Sequence, residues 1–471
     1  MTDAADLVLD DRTAAARLGD FALREDYALN PRFVAMVVDA ADRGDLARLR
    51  ELVTAVSPPD VADLMGFLSA EHREDLVPLL PPEVLAEVLP ELDDQIRDEV
   101  LERVAPATLA TALGELDSDD AAAVVEDLDA GRRGAVLAAM SPTDRAAIET
   151  TLAYAEESAG RLMQREVLAA PQFWTVAQTL EHVRAAGDQL PELFFDVYVV
   201  SPAYKVLGGV PVSALLKARP EAALDSLMEP VTEIDVGQDQ EEVAYAFEKY
   251  HLVSAPVTDA DGRLVGQITV DDIVNIIQEE NQEDILALAG VGEVGRDAGV
   301  FGIVRSRFPW LFVNLFTASI AVSVISAFQD SIAELVALAV LMPIVASIGG
   351  NAGTQALTVA VRALAMRELS AANAWRSVRR EVVVGLINGV ALALVLGAAA
   401  ALLFQNPRLG GVIGVAVVLN LLIAALAGSL IPLALDRLGR DPAVASSVFV
   451  TMLTDLFGFL LFLGLATAIL L

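Results

Sequence analysis

Cysteine is absent from this 471-residue chain, so disulfides and thiolate metal sites are excluded. Histidine occurs three times (His72, His182 and His251), too scattered for an imidazole-rich zinc site. Lysine is just as scarce, at Lys205, Lys217 and Lys249. No GxxxxGK[ST] loop is present, which removes ATP hydrolysis of the P-loop kind. Met1–Asp20 is acidic and lacks a long apolar core, so no cleaved signal peptide is expected. What remains for metal chemistry is oxygen, which suits hard cations such as magnesium or calcium.

Charge is unevenly placed. The first 300 residues hold 59 of the 66 acids but 22 of the 32 bases, a net of −37. The remainder carries seven acids and ten arginines, a net of +3. An acidic half is thus joined to an apolar half. The acidic half repels phosphate, so nucleic acid is not an expected partner, and cations are its natural counterparts. Acidity alone also fits a solvated surface in a high-salt habitat.

Residues 1–30 read as a polar leader. Residues 57–152 carry a repeat of twelve, with units starting at Ser57, Ser69, Pro81, Asp93, Ala105, Asp117, Asp129 and Ser141. Places 8, 9 and 12 are mostly apolar and share one helical face. Ser or Asp at the first place, or Pro after it, marks helix starts. The expectation is a superhelical stack of short helices over residues 31–158.

From residue 159 the texture changes. Strand-like runs (Phe195–Val200, Leu252–Val257, Arg263–Thr269) alternate with helical ones (Val176–Ala186, Gln240–Tyr250, Asp271–Gln278). Asp259-Ala-Asp-Gly262 is a hairpin signal. Val197–Leu216 aligns with Ala255–Val274, and the two halves resemble a pair of α/β CBS modules, over 159–222 and 223–278. Gly266, Thr269 and Asp272 stand where such modules hold a nucleotide, so ATP is a candidate ligand of the second module. Pro211 and Ala214 replace the matching Thr and Asp in the first.

An acidic helix, Glu279–Asp284, and a joint at Gly290, Gly292 and Gly295 form a connecting segment over 279–306. Residues 307–471 read as a membrane domain of five spans, about 309–328, 332–361, 382–404, 410–435 and 443–471. Nine arginines fall on one side and only Arg408 on the other. A cytoplasmic N-terminus, an external C-terminus and a multi-pass place in the cell membrane follow. In the second span, Pro343-Ile-Val-Ala-Ser-Ile-Gly-Gly-Asn-Ala-Gly-Thr-Gln355 reads as an irregular polar interruption. Such a stretch survives at membrane depth only where it lines a wet path or is buried in protein.

Asp455 is the one acid well inside a span, and Thr451, Thr454 and Gly458 stand near it. An ionised carboxylate there is costly unless it faces water or a cation. A two-fold dimer would present two such carboxylates to one hydrated divalent ion.

Pro343–Gln355, together with Asp441-Pro-Ala443 and Thr451-Met-Leu-Thr-Asp-Leu-Phe-Gly458, resembles the signatures of the MgtE family of magnesium channels. Ala155–Met163 resembles that family's link between its N domain and CBS pair. The resemblance implies a homodimeric, magnesium-selective channel in membrane lipid, whose cytoplasmic domains sense magnesium. It places Asp455 in the pore, Asp441 near its cytoplasmic mouth, and Asn351, Gly350, Thr451 and Thr454 along its lining. It assigns Asp239, Asp272, Glu280, Glu283 and Asp284 to regulatory magnesium, with Asp119 and Asp120 as further ligands in the N domain. Ser447, His251 and Ala123 depart from the pattern: some members have Asn at the first position and an acid at the second, and Ala123 leaves Asp119 without a carboxylate at i+4.

Three other functions would draw on the same residues. Cobalt or manganese transport would use the same scaffold. A membrane receptor would read nucleotide through its CBS pair and pass no ion. An aspartyl enzyme would need Asp441 and Asp455 to share a proton, but fourteen residues on a continuous helix span about 21 Å. No enzyme activity is expected.

Overall fold

The computed structural model describes residues 18–19, 21–187, 190–191, 193–289, 300–369, 373–443 and 446–471. The chain divides into two units, Met1–Ile277 and Gln278–Leu471.

The first unit opens with α1 (Pro31–Asp42) and α2 (Leu46–Val53). Then come α3 (Pro58–Phe67), α4 (Ala70–Leu76), α5 (Pro82–Val88), α6 (Asp94–Arg103), α7 (Pro106–Leu113), α8 (Ser118–Glu126), α9 (Ala130–Ala139) and α10 (Pro142–Thr151). The N-caps of α3 to α10 are the eight residues at which the twelve-residue period begins. Ser69, Asp129 and Ser141 accept backbone N–H groups in that role. Leu64-Met65, Val88-Leu89, Val100-Leu101 and Val124-Val125, at places 8 and 9, are all buried. Helices this short are marginal alone. The seam holds them, at about 1.5–3 kcal/mol per buried aliphatic side chain. Residues 21–30, read as leader, join the stack: Ala22 and Leu29 are buried in its core.

A short helix, α11 (Ala159–Leu162), leads to two sheets of the same design. In the first, β1 (Ala169–Pro171) runs parallel to β2 (Asp196–Val200), which pairs antiparallel with β3 (Val206–Pro211). Helices α12 (Val176–Ala186) and α13 (Val212–Lys217) accompany it. In the second, β4 (Ile234–Asp235) runs parallel to β5 (Ser254–Thr258), which pairs antiparallel with β6 (Leu264–Thr269). Helices α14 (Gln240–Tyr250) and α15 (Val270–Leu288) accompany that one. The register slips at Val199/Val200 and at Val257/Thr258, one position in two copies of a module. Gly262 closes the β5–β6 hairpin at φ +75, a conformation that favours glycine. The modules are tied by Tyr198, whose hydroxyl donates to Ser254 Oγ at 2.9 Å, which donates to Asp196 at 2.9 Å.

Among the described residues of the second unit, five helices are long and apolar enough to cross a membrane: α16 (Val300–Ala327), α18 (Ala337–Ala365), α19 (Ala374–Leu403), α20 (Pro407–Arg437) and α21 (Ser446–Leu470). A short α17 (Gln329–Glu334) precedes α18. The glycine joint at 290, 292 and 295 lies outside the described residues. The expected interruption at Pro343–Gln355 is not one: α18 is a continuous helix through it. Helix keeps every other backbone group bonded internally at that depth. Gly349 and Gly353 serve instead to bring helices close.

One close approach centres on Asn420 of α20, which is fully buried. Its Nδ2 donates to Val345 O at 3.0 Å. A Cβ at Gly349 would lie 2.2 Å from that nitrogen, and one at Gly458 would lie 2.8 Å from it. The amide is thus gripped between α18 and α21. Gly349→Ala is expected to destabilise the bundle by about 1–3 kcal/mol through overpacking. Gly350→Ala, next along the helix with nothing near its Cβ, is expected to hold or gain stability. Thermal unfolding in detergent compares the two, and equal midpoints would contradict the contact.

Candidate functional site

On α18, Val345, Gly349, Gly353, Ala356, Leu357 and Ala360 are buried. The opposite side carries Pro343, Ser347, Asn351, Thr354, Gln355 and Thr358, all exposed. A stripe of hydroxyls and amides down a membrane helix is uncovered by the rest of its own chain. Gly350 is half-buried beside it.

On α21, Ser446, Val450, Thr454, Gly458, Phe462 and Ala466 recur every four residues and are buried. Asp455 lies beside this row and is half-buried, as is Thr451 one turn earlier. Among the described residues no hydrogen bond or ion pair holds the Asp455 carboxylate. Thr454 corrects the sequence reading. It does not face an open path but is fully buried, donates to Thr451 O, and lies beside Gly353. Thr451 donates to Ser447 O at 2.9 Å.

Asp441 precedes α21 rather than lying on it, and accepts Ala443 N at 2.7 Å. Asp284 of α15 neighbours it. Burial, then the Asp441 charge, raises the Asp284 carboxyl above its ordinary range. Three residues on, Ala287 and Leu288 pack with Leu357, Val361, Ala443 and Val450. The end of α15 therefore rests on α18 and α21, the helices that carry Asn351 and Asp455. Glu280 is half-buried and Glu283 exposed on the same helix.

A second acidic centre lies within the first unit. The start of α8 is docked by hydrogen bonds: Ser118 N and Oγ donate to Glu166 at 3.2 and 2.9 Å, and Arg165 N donates to Ser118 Oγ at 2.8 Å. This brings Asp119 and Asp120 beside Asp271 and Asp272 in the first turn of α15. Asp119 is pushed well above the carboxylate range by burial first, then by Asp272, Asp120 and Asp117. Burial, Asp271 and Asp120 push Asp272 up to about 7, against a hydrogen bond from Thr269. Asp120 is raised by burial, Asp271 and Glu91. Asp119 Oδ1 is buried and has no hydrogen-bond partner among the described residues. Crowded carboxylates with an orphan oxygen fit a hard divalent cation. They are not a preformed cage, since among the described residues no three such groups converge on a metal position.

Sequence reasoning looked for the partner of Asp119 at i+4 on its own helix, where Ala123 stands. The partners come from α15, about 150 residues further on; the family resemblance assigns one of them, Asp272, to regulatory magnesium, and the Asp271-Asp272 pair at a helix start is the local hint. Asp239 has another duty, capping α14 by accepting Glu241 N at 2.9 Å. Thr269 Oγ1 donates to Asp272 at 3.1 Å, so the two residues read as a nucleotide site do stand side by side.

Residues 342–465 match the MgtE divalent cation transporter family, 56–157 its intracellular N domain, and 224–279 a CBS domain. The chain is 36% identical over 321 residues to the magnesium transporter MgtE of Enterococcus faecalis, covering 68% of this chain and 71% of that one. It belongs to the MgtE family. The magnesium transporter MgtE of Thermus thermophilus is 34% identical over 328 residues, covering 69% of this chain and 72% of its own. A solved structure of the cytosolic domain of the Mg2+ channel MgtE in complex with ATP is 32% identical, covers 52% of this chain and 99% of its own, and gives a TM-score of 0.49. The MgtE architecture expected from the sequence is present: a helical N domain, a CBS pair and five membrane helices.

Proposed function

We propose that this MgtE chain carries magnesium across the membrane as a two-fold dimer, through a path lined by α18 and α21 of each copy. The observation that carries this is the uncovered polar stripe Ser347–Asn351–Thr354–Thr358, with the unpartnered Asp455 carboxylate on the neighbouring helix. Polar groups and a charge facing lipid are expensive. A second copy laid against the first turns that cost into a wet channel. Two Asp455 carboxylates then match a 2+ charge and hold the ion through its water shell, since magnesium dehydrates reluctantly. The arginine bias puts the N-terminus in the cytoplasm and the C-terminus outside.

The acidic centre is the proposed regulator. Asp119, Asp120, Asp271 and Asp272 repel one another when ionised. Bound magnesium would bridge them, favouring the docked arrangement of α8 and α15 by its differential affinity for it. Glu280, Glu283, Asp284 and Asp441 form the second acidic element, where α15 ends against the proposed path. Thr269 and Asp272 offer the hydroxyl and carboxylate that a ribose takes, so ATP and magnesium would compete or cooperate through Asp272.

Magnesium uptake into proteoliposomes tests the reading. Uptake driven by a negative interior potential is expected, and is expected to fall when the face bearing the N-terminus meets millimolar magnesium. Vesicles that show no flux would move the chain to a receptor role. Cobalt or manganese flux exceeding magnesium flux would change the cargo.

A further inference from the structure

We propose that a crevice between α19 and α20 is a binding site for one anionic phospholipid. It has a volume of about 310 Å³ and is lined by Ala374, Trp375 and Val378 of α19 and Leu433, Ala434 and Arg437 of α20. Its floor is aliphatic, as an acyl chain requires. Its rim carries Arg437 and an indole that is 71% exposed. Trp is at home at headgroup depth, and arginine binds phosphate with a planar fork of donors.

The charge around the rim points the same way. Arg376, Arg379 and Arg380 follow Trp375 within two turns, and Arg440 follows Arg437. All five arginines are exposed, and none forms an ion pair among the described residues. The acids of these helix ends, Glu381 and Asp436, do not neutralise them. The same helix pair supplies a control at its far end. There a larger crevice of about 570 Å³, with Leu394, Gly397, Pro407 and Gly411 in its lining, is lined by no polar side chain. An acyl chain fits both crevices, but only the first has an arginine in its lining; the second has a single arginine nearby, Arg408 after Pro407, against four more beside the first. A basic pocket between membrane helices is a recognised headgroup site. The polar path on α18 and α21 takes no part, so the inference stands apart from the transport reading.

Trp375 is one of three tryptophans, so Trp174→Phe with Trp310→Phe leaves it as the sole indole of the full chain. That protein is placed in phosphatidylcholine nanodiscs with a minor fraction of brominated phosphatidylglycerol, or of brominated phosphatidylcholine as reference. With about 1 kcal/mol per arginine near the headgroup, half-quenching is expected at an about fivefold lower fraction of brominated phosphatidylglycerol. Arg437→Ala is expected to bring the ratio towards one, and Arg437→Lys to keep most of it. Equal quenching by the two lipids would overturn the site. So would quenching by neither, the result expected if a second copy covers the crevice. If the tryptophan variants do not fold, the difference between parent and Trp375→Phe supplies the same quantity.

Discussion

Asp455→Asn is expected to abolish magnesium flux in proteoliposomes while leaving the protein folded. The side chain keeps its size and loses its charge. Each copy then gives up a charge-assisted hydrogen bond to the ion's water shell, worth about 1.5–3 kcal/mol. Two copies double the loss, so flux should fall at least about a hundredfold. Packing should survive, because Asp455 lies beside the buried row of α21 rather than in it. Asp455→Glu should retain part of the flux, since it keeps the charge at a shifted depth. A variant folded to the parental midpoint that transports at the parental rate would remove Asp455 from the path.

The second large effect is pH-dependent. Asp272 has its carboxyl raised to about 7 from 3.8. A raised acid binds its proton more readily in the docked form than in the undocked one. Without metal, the docking of α8 against α15 is therefore strongest at acid pH and weakens as pH rises from about 4 to about 7. The shift bounds the loss at on the order of 4 kcal/mol. Magnesium has the opposite dependence, because it must displace those protons. In the full chain, hydrogen exchange of Ser118–Glu126 should be protected at pH 5 without magnesium, and should need magnesium at pH 8. The magnesium needed for half-protection should therefore fall as pH drops from 8 to 6, since protons take over the neutralisation, while the affinity of the docked centre for magnesium weakens by up to about tenfold per pH unit below 7 for each carboxyl that must give up its proton. Asp272→Asn should keep protection at high pH and lose most of its magnesium dependence. The same half-protecting concentration at pH 6 and pH 8 would contradict the centre.

Much of the architecture is legible because it rests on local chemistry. The caps from Ser57 to Ser141 announce α3 to α10 residue for residue, since a cap, a first-turn proline and a helical apolar face lie within twelve residues. The β5–β6 hairpin follows from Asp259–Gly262 for the same reason. The misses are those that tertiary context decides. The acidic run Glu279–Asp284 suggested a separate helix, yet α15 runs unbroken from Val270 to Leu288. Pro343–Gln355 looked like a break because small and polar residues disfavour isolated helix, but Gly349 and Gly353 are contact points in the bundle and the polar residues lie on the exposed side of an unbroken helix. Thr454 and Asp455 are adjacent in sequence, yet about 100° of helical turn puts one in the core and the other at its edge. Asn420 went unremarked, since a lone asparagine in an apolar run does not reveal that two glycines grip it. The Asp119–Asp272 pairing had no local signal beyond the acids themselves.

The claim on which the account depends is that Asp455 of one copy faces Asp455 of another across a hydrated ion. The chain has no cysteine, so Asp455→Cys supplies its sole thiol. Spin labels there should give one narrow inter-copy distance within about 20 Å, two helix diameters. No dipolar coupling, or a distance well beyond that, would place the two carboxylates on separate surfaces and contradict the shared path.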